Sequence, residues 1–261
     1  GLNRVQGVRT DAGGKGINVT KVLKSFGANV LCYTLDAGDA IKGYLDKEKI
    51  VIPMLFNNQK VIILANGHYP THPIALQMLR SGAAVVCCDG AANQFVAEGG
   101  IPTAIIGDGD SLQAEVRERF GHCVHHVAEQ ETNDLTKAVT YAQSQGATEM
   151  CILGATGKRE CHTLGNISLL MEYHRSGLRV EMLTDHCRIV PCTGVTTHKT
   201  FPQQQVSIIN FGARHFHSEG LAYPIYDFTN WWQGTLNEAT TDEITIHAEG
   251  DYLVLLDFKE A

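Results

Sequence analysis

"TAIIGDGDSLQAEVRERFG", residues 103–121, reads as an apolar strand, a glycine turn carrying two aspartates, and an amphipathic helix. The same order recurs along the middle of the chain. "KVIILAN" precedes a helical "PIALQMLRSG"; "AAVVCCDG" ends on Asp89; "CVHHVAE" precedes a helical "NDLTKAVTYAQSQG"; and "EMCILGATG" precedes a helical "TLGNISLLMEYHRSG". Strand then helix, repeated, predicts a doubly wound parallel sheet with helices on both faces, a catalytic domain of the α/β class over 57–176. After Gly177 helical periodicity stops. "RVEMLTD", "CRIVPC", "QVSIINFG", "EITIHAEG" and "DYLVLLDF" are strand-length segments separated by Gly, Pro, Thr and Asn, which predicts a C-terminal all-β sandwich over 177–261.

Composition narrows the function. Lys+Arg number 21 against 28 Asp+Glu, a net charge of -7 over 261 residues, with no basic block and no aromatic residues interleaved with Arg. That excludes the usual footprint of a nucleic-acid binder. The apolar runs fall far short of the roughly 20 residues needed to span a bilayer, so no membrane partner is expected. Eight cysteines, none in a C-x-x-C pair and most inside apolar runs, fit neither a zinc knuckle nor a disulfide framework and point to a reducing, cytoplasmic setting.

In open α/β sheets ligands bind beyond the carboxyl ends of the strands. Acids stand there: Asp89, then Asp108 and Asp110, then Asp134 at the start of a helix. On an extended segment Asp108 and Asp110 would point to one side, toward one hard cation. Carboxylates gathered at one sheet edge repel each other unless a cation sits among them, and Mg²⁺ with substrate phosphates is the natural guest. The plainer reading is that these are turn residues and that Asn133 or Asp134 caps its helix. "GATGK" lacks the spacing of a Walker phosphate loop, but Lys158 and Arg159 at a strand end opposite the acids would neutralise phosphate charge. The histidines of "CVHHV" and "RHFHS" show no ligand spacing.

Residues 57–261 resemble thiamine pyrophosphokinases, on "DGAANQF" (89–95), "IIGDGDS" (105–111), "EQETNDLTKA" (129–138), "GATGKRECHTLGNISLL" (154–170), "SEGLAYPI" (218–225) and "WWQGTLNEAT" (231–240). The resemblance implies Mg²⁺-dependent transfer of the terminal diphosphate of ATP to the hydroxyl of thiamine, giving thiamine diphosphate and AMP, in a homodimer whose active sites lie between subunits. It implies that Asp89, Asp108, Asp110 and Asp134 hold Mg²⁺ and phosphates, the first three as metal ligands. By the same resemblance Gln130, Asn133 and Arg159 contact the nucleotide, and Ser218, Thr235 and Asn237 fall in segments that meet thiamine. Trp231 and Trp232 stand beside them, either to stack on a cationic ring or to pack in the core. In the family the motif at 159–162 reads Arg, any residue, Asp, then commonly His. Cys161 takes the place of that active-site aspartate, which opens a second reading, a catalytically inactive relative that still binds thiamine or nucleotide.

The first 56 residues do not belong to that resemblance. "NRVQGVRTDAGGKGINVTKVLKSFGA" resembles the N-terminal substrate loop of ribokinase-type sugar kinases, particularly phosphofructokinases, with a helix expected from about Ile17 to Phe26. Too little chain follows to complete that fold, so the segment reads as a truncated or fused N-terminal extension. A chain starting near Asn57 is accordingly expected to fold and to bind thiamine as well as the full chain; insolubility or lost binding would show the extension to be integral.

Overall fold

Runs of Val, Ile, Leu and Cys bounded by glycine and acids form the central parallel strands. They are β1 (Lys60–Leu64), β2 (Ala84–Cys88), β3 (Ala104–Gly107), β4 (Val124–His126), β5 (Glu149–Leu153) and β6 (Arg179–Leu183). The computed structural model describes residues 55–127, 129 and 131–259. The expectations for residues 1–54 and for the side chain of Gln130 lie outside the described residues. The chain divides into two units, residues 1–57 and 58–261, and every element named below belongs to the second.

Between the strands come α1 (Pro73–Leu79), α2 (Ala91–Ala97), α3 (Ala114–Phe120), α4 (Asp134–Ser144) and α5 (Glu160–Arg175). Strands β1, β2, β3 and β5 are apolar beyond the first residue because both faces are covered. Ile62, Leu64, Val85, Cys87, Ile105, Cys151 and Leu153 pack with the apolar stripes of α1, α2 and α3. The alternating Val61, Ile63, Val86, Ile106, Met150 and Ile152 are equally buried on the opposite face, where α4 lies over β1–β3 and α5 over β6. Cys87, Cys88 and Cys151 serve as core residues, and burial pushes their thiols well above the ordinary range.

The remaining strands are β7 (Cys187–Thr193), β8 (Thr196–Lys199), β9 (Gln205–Asn210), β10 (Arg214–Glu219), β11 (Asn237–Glu238), β12 (Glu243–Glu249) and β13 (Asp251–Asp257). Here one expectation is corrected. "RVEML", assigned from the sequence to the all-β region, is β6 and pairs in parallel with β5. The helix break at Gly177 invited a boundary there, but a crossover helix needs a returning parallel strand, and β6 supplies it. The first sheet then continues without interruption, in the order β11-β9-β13-β7-β6-β5-β1-β2-β3-β4. Its antiparallel end forms one layer of the sandwich, and the sheet β10-β12-β8 forms the other. Val206, Ile208, Phe216, Phe228, Ile244, Ile246, Tyr252 and Val254 fill the space between them.

A titratable group borders this second core. The His198 ring lies 3.0 Å from Thr196 Oγ1, and burial, assisted by Arg188, lowers its pKa to about 4. The unfolded chain takes up that proton near pH 6.5 and the folded chain only near 4. Acidification therefore favours unfolding across that window, by at most about 1.4 kcal/mol per pH unit. Melting temperatures measured from pH 7 to pH 4 should fall less steeply in His198→Gln than in the wild type; parallel curves would show that this ring is not the source.

Candidate active site

The strand order places β1 between β2 and β5, so the chain leaves β1 toward β2 on one side and returns as β5 on the other. This is the topological switch point, where the loops after β1 and β5 diverge and a crevice opens. Gly67 N donates to Gly154 O at 2.6 Å and His68 N to Thr156 O at 2.7 Å. A side chain at 67 is excluded, since its Cβ would lie 2.3 Å from Gly154 O. Lys158 Nζ reaches across the opening to Asn66 O at 2.9 Å and Asn66 Oδ1 at 3.3 Å. Sequence reasoning missed Asn66 and Gly67. The signal was there, because "NG" follows the first apolar run just as the acids follow the next two.

Beside this bridge a lobe of about 330 Å³ is lined by Cys88, Asn133, Asp134, Arg159, His162 and Asn166. Asn133 caps α4, its Oδ1 accepting from Thr136 N at 2.9 Å, as the plainer sequence reading allowed. Asn166, also missed, accepts from Asn133 Nδ2 at 3.1 Å and donates to Ala155 O at 2.8 Å, which fastens the start of α4 to the loop after β5. Helix α5 begins at Glu160 with Arg159 as its uncapped N-cap, three residues earlier than the expected start near Thr163. Its first amides are therefore open to an anion. The Arg159 side chain is exposed and makes no ion pair or hydrogen bond among the described residues.

The acids divide by burial. Asp89 is 5% exposed and its backbone is left-handed, φ 36°. Its Oδ2 accepts from Ser111 N at 3.3 Å, while Oδ1 is buried with no hydrogen-bond partner. Gly107 makes this placement possible, because a Cβ there would stand 2.6 Å from Asp89 Cβ. Asp89 thus lies against both ends of the 107–111 turn. The expectation that Asp108 and Asp110 project together from an extended segment is corrected. With Gly109 at φ 77° the segment is a tight turn, and Asp108 Oδ1 accepts from Asp110 N at 3.0 Å. Both side chains are exposed, and among the described residues no three of His, Cys, Asp and Glu are gathered to hold a metal ion. Asp134 opens α4 and pairs with the buried Lys137 at 3.3 Å. It belongs to the same place as Asp89, since both carboxylates help push the Cys88 thiol up.

The segments expected to meet thiamine are not brought to these acids within one chain. β9, against which the 3-10 turn Trp231–Gly234 packs, stands four strands from β5, on the order of 20 Å at strand spacing. Trp231 stacks on Phe211 at 5.7 Å and donates from Nε1 to Asn210 O at 3.1 Å, whereas Trp232 is 73% exposed. Thr235 Oγ1 donates to Trp232 O at 2.8 Å, and Ser218 lies on β10 opposite Ile246. Asn237 is buried, and its amide is engaged by the backbone. Nδ2 donates to Tyr223 O at 2.9 Å, and Oδ1 accepts from Tyr223 N at 3.1 Å and Glu238 N at 2.8 Å. It holds the 221–238 loop instead of presenting its amide to a ligand. Asn237→Ala should therefore cost about 2–3 kcal/mol of stability, by stranding buried backbone groups, and thermal or urea melts would register it; an unchanged midpoint would show the loop to be held otherwise.

Comparison with known proteins agrees with this division. Residues 75–182 match the family described as thiamin pyrophosphokinase, catalytic domain, and residues 188–255 match its substrate-binding domain. The chain belongs to the thiamin pyrophosphokinase family. Thiamine pyrophosphokinase 1 of Oryza sativa subsp. japonica is 31% identical over 115 residues, 40% of this chain and 43% of that protein. Thiamine pyrophosphokinase of Bacillus subtilis is 29% identical over 134 residues, 48% of this chain and 62% of that protein. The matched stretches thus span less than two thirds of either relative. The fold is that of the crystal structure of the B. subtilis thiamine pyrophosphokinase, with a TM-score of 0.67 at 20% identity, covering 78% of this chain and all of that one. Thiamin pyrophosphokinase from Candida albicans gives a TM-score of 0.66 at 16% identity, covering 79% and 92%. Family membership puts the β6–β7 junction, between the two matched segments, at the boundary of its catalytic and substrate-binding parts.

Proposed function

We propose that this chain is an ATP:thiamine diphosphotransferase. The observation that carries the reading is the switch-point lobe, where an unpaired Arg159, the open amides of α5 and Lys158 stand with Asp134 and with Cys88, next to which Asp89 keeps a buried oxygen without a hydrogen-bond partner. Such a place suits a polyphosphate and its counter-cation. In the reaction the thiamine hydroxyl oxygen forms a bond to the β-phosphorus of ATP. The bond from that phosphorus to the oxygen of the α-phosphate breaks, AMP leaves with the electron pair, and the hydroxyl proton passes to water. Phosphoryl chemistry of this kind asks the protein for positioning and charge stabilisation more than for a covalent nucleophile.

The donor set fits a magnesium ion. Asp89 offers a free buried oxygen, and Asp108 and Asp110 offer exposed carboxylates on the turn that Asp89 touches. Mg²⁺ takes one or two carboxylates and the substrate's phosphate oxygens, and when bound it neutralises phosphate charge. Asn133, Gln130, Lys158 and Arg159 serve the nucleotide; Asn166 holds Asn133 in place. Thiamine is received by Ser218, Thr235 and the Trp231–Trp232 turn of a second copy, in a homodimer with active sites between subunits; the four-strand separation of β9 from β5 within one chain supports this reading. Buried thiols in β2, β5 and β7 suit a reducing, cytoplasmic compartment, and no described helix is long and apolar enough to cross a membrane.

The test is incubation with thiamine, ATP and Mg²⁺, followed by chromatography for thiamine diphosphate and AMP in equal amounts. ADP appearing with a sugar acceptor, and no thiamine diphosphate, would overturn the proposal.

A further inference from the structure

One wall of the crevice is a single run of chain. Asn66 and Gly67 line the lobe of about 330 Å³, and residues 66–71 line a larger neighbour of about 760 Å³. The near end of this run is tied to the loop after β5 by the bonds from Gly67 and His68. Its far end is tied from elsewhere. Asp185 ends "RVEMLTD" as Asp89 ends "AAVVCCDG", but it stands in the turn between β6 and β7 and spends its carboxylate on the wall. Oδ1 accepts from Thr71 N at 2.8 Å and from His72 N at 2.9 Å, and Oδ2 accepts from Thr71 Oγ1 at 2.7 Å. Burial opposes the charge on Asp185, yet the hydrogen bonds from His72 and Thr71, with His186 nearby, outweigh it and hold the carboxyl below its ordinary range. The turn is braced in its own right, since Thr184 Oγ1 accepts from His186 N and Cys187 N, each at 3.0 Å. Just beyond β13, the Phe258 ring stacks on His72 at 4.6 Å, and Phe258 N donates to His186 O at 2.7 Å.

The clamp acts on the wall and on the helix behind it together. His72 is the N-cap of α1, its Nδ1 accepting from Ile74 N at 3.3 Å, so the two amides that Asp185 holds mark the end of the wall and the start of α1. A carboxylate accepting backbone N–H bonds makes a charge-assisted contact, about twice as strong as a neutral one. Asp185 itself falls between the two family segments, 75–182 and 188–255, and belongs to neither. A wall displaced by about 1 Å at a site that works by positioning costs up to about a hundredfold. We infer that Asp185 is a positioning residue for the donor nucleotide, acting not on the substrate but through the amides of Thr71 and His72, which set the place of the crevice wall. This rests on the diphosphotransferase reading, and it makes the β6–β7 turn part of the machinery that shapes the crevice.

Asp185→Ala cuts all three bonds at a half-buried turn, whereas Asp185→Asn keeps an oxygen for both amides. Titration calorimetry of ATP with Mg²⁺ on the full chain needs no turnover, and Asp185→Ala should weaken ATP there at least about tenfold. Steady-state assays should show the same loss in the KM for ATP, with kcat and the KM for thiamine within about threefold, a split that lowered stability alone does not produce below the melting midpoint. Asp185→Asn should keep ATP affinity within about threefold of the wild type, although it removes the same charge as Asp185→Ala. Asp185→Ser, too short to reach both amides, should weaken ATP at least about threefold and serves if the alanine variant does not fold. ATP affinity unchanged in Asp185→Ala while its melting midpoint falls would make the residue structural only. A loss as large in Asp185→Asn as in Asp185→Ala would assign the effect to charge and not to the clamp. Either result overturns the inference, as does a wild type that binds no ATP at millimolar concentration. A wild type that binds ATP, and loses it with Asp185→Ala, but makes no thiamine diphosphate would sink the proposed function and leave the clamp standing.

Discussion

Replacing Asp89 with asparagine is expected to lower kcat at least about a thousandfold while shifting the melting temperature by no more than a few degrees. Asparagine is nearly isosteric, tolerates the left-handed backbone that Asp89 adopts, and keeps an oxygen for the amide of Ser111. What is lost is the charge on an oxygen that is buried and engaged by nothing in the protein. An unsatisfied buried carboxylate oxygen destabilises the fold, so its presence at the end of β2 makes sense if substrate or cation completes it. Removing a preorganised charge from such a site costs on the order of 4 kcal/mol of transition-state stabilisation, about three decades in rate. Asp108→Asn and Asp110→Asn are expected to abolish turnover on the sequence reading. The structure shifts the greatest weight to Asp89, because Asp108 already closes its own turn and both residues face solvent. Near-normal turnover of Asp89→Asn at saturating Mg²⁺ would show that this carboxylate belongs to the turn alone.

The parallel half of the fold was legible because strands buried on both faces leave continuous apolar runs, and helices alternating with them leave a different period. β6 was misassigned because "RVEML" carries no mark of the sheet it joins, and only the crossover through α5 decides it. The acids were legible as a set, but not their ranking. Burial distinguishes Asp89 from Asp108, and burial here depends on Gly107 admitting the Asp89 side chain, a contact 18 residues away in sequence. Asn237 shows the reverse: the resemblance puts it in a segment that meets thiamine, and only the structure shows its amide engaged by Tyr223 and Glu238 within the chain. Asn66 and Asn166 were overlooked for a common reason. Each matters through a bridge to a residue distant in sequence, Lys158 and Asn133, and spacing along the chain does not announce such a bridge.

Cys161→Asp is expected to raise kcat at least about tenfold with little change in ATP affinity. Cys161 is the only exposed cysteine among the described residues, and it is the second residue of α5, two positions after Arg159 and adjacent in the chain to His162 of the smaller lobe. With the helix starting at Glu160, position 161 lies inside the first turn, so an aspartate there would not act as the N-cap. Two roles remain, accepting a hydrogen bond from the acceptor substrate and orienting its hydroxyl. A neutral thiol performs both poorly, and such positioning and proton-accepting roles are typically worth about 10² to 10⁴ in rate. A carboxylate in the first turn is also favoured by the helix dipole, by about 0.3–1 kcal/mol, so the variant should melt no lower than the wild type. A tenfold gain corresponds to about 1.4 kcal/mol at the transition state. Cys161→Asn is the control, with similar size and hydrogen-bonding reach but no charge, and it should gain less than half of that. Should Cys161→Asp leave kcat unchanged or lower it in steady-state assays, the neighbouring Glu160 or another group already supplies what the thiol lacks, and no catalytic carboxylate is missing at this position.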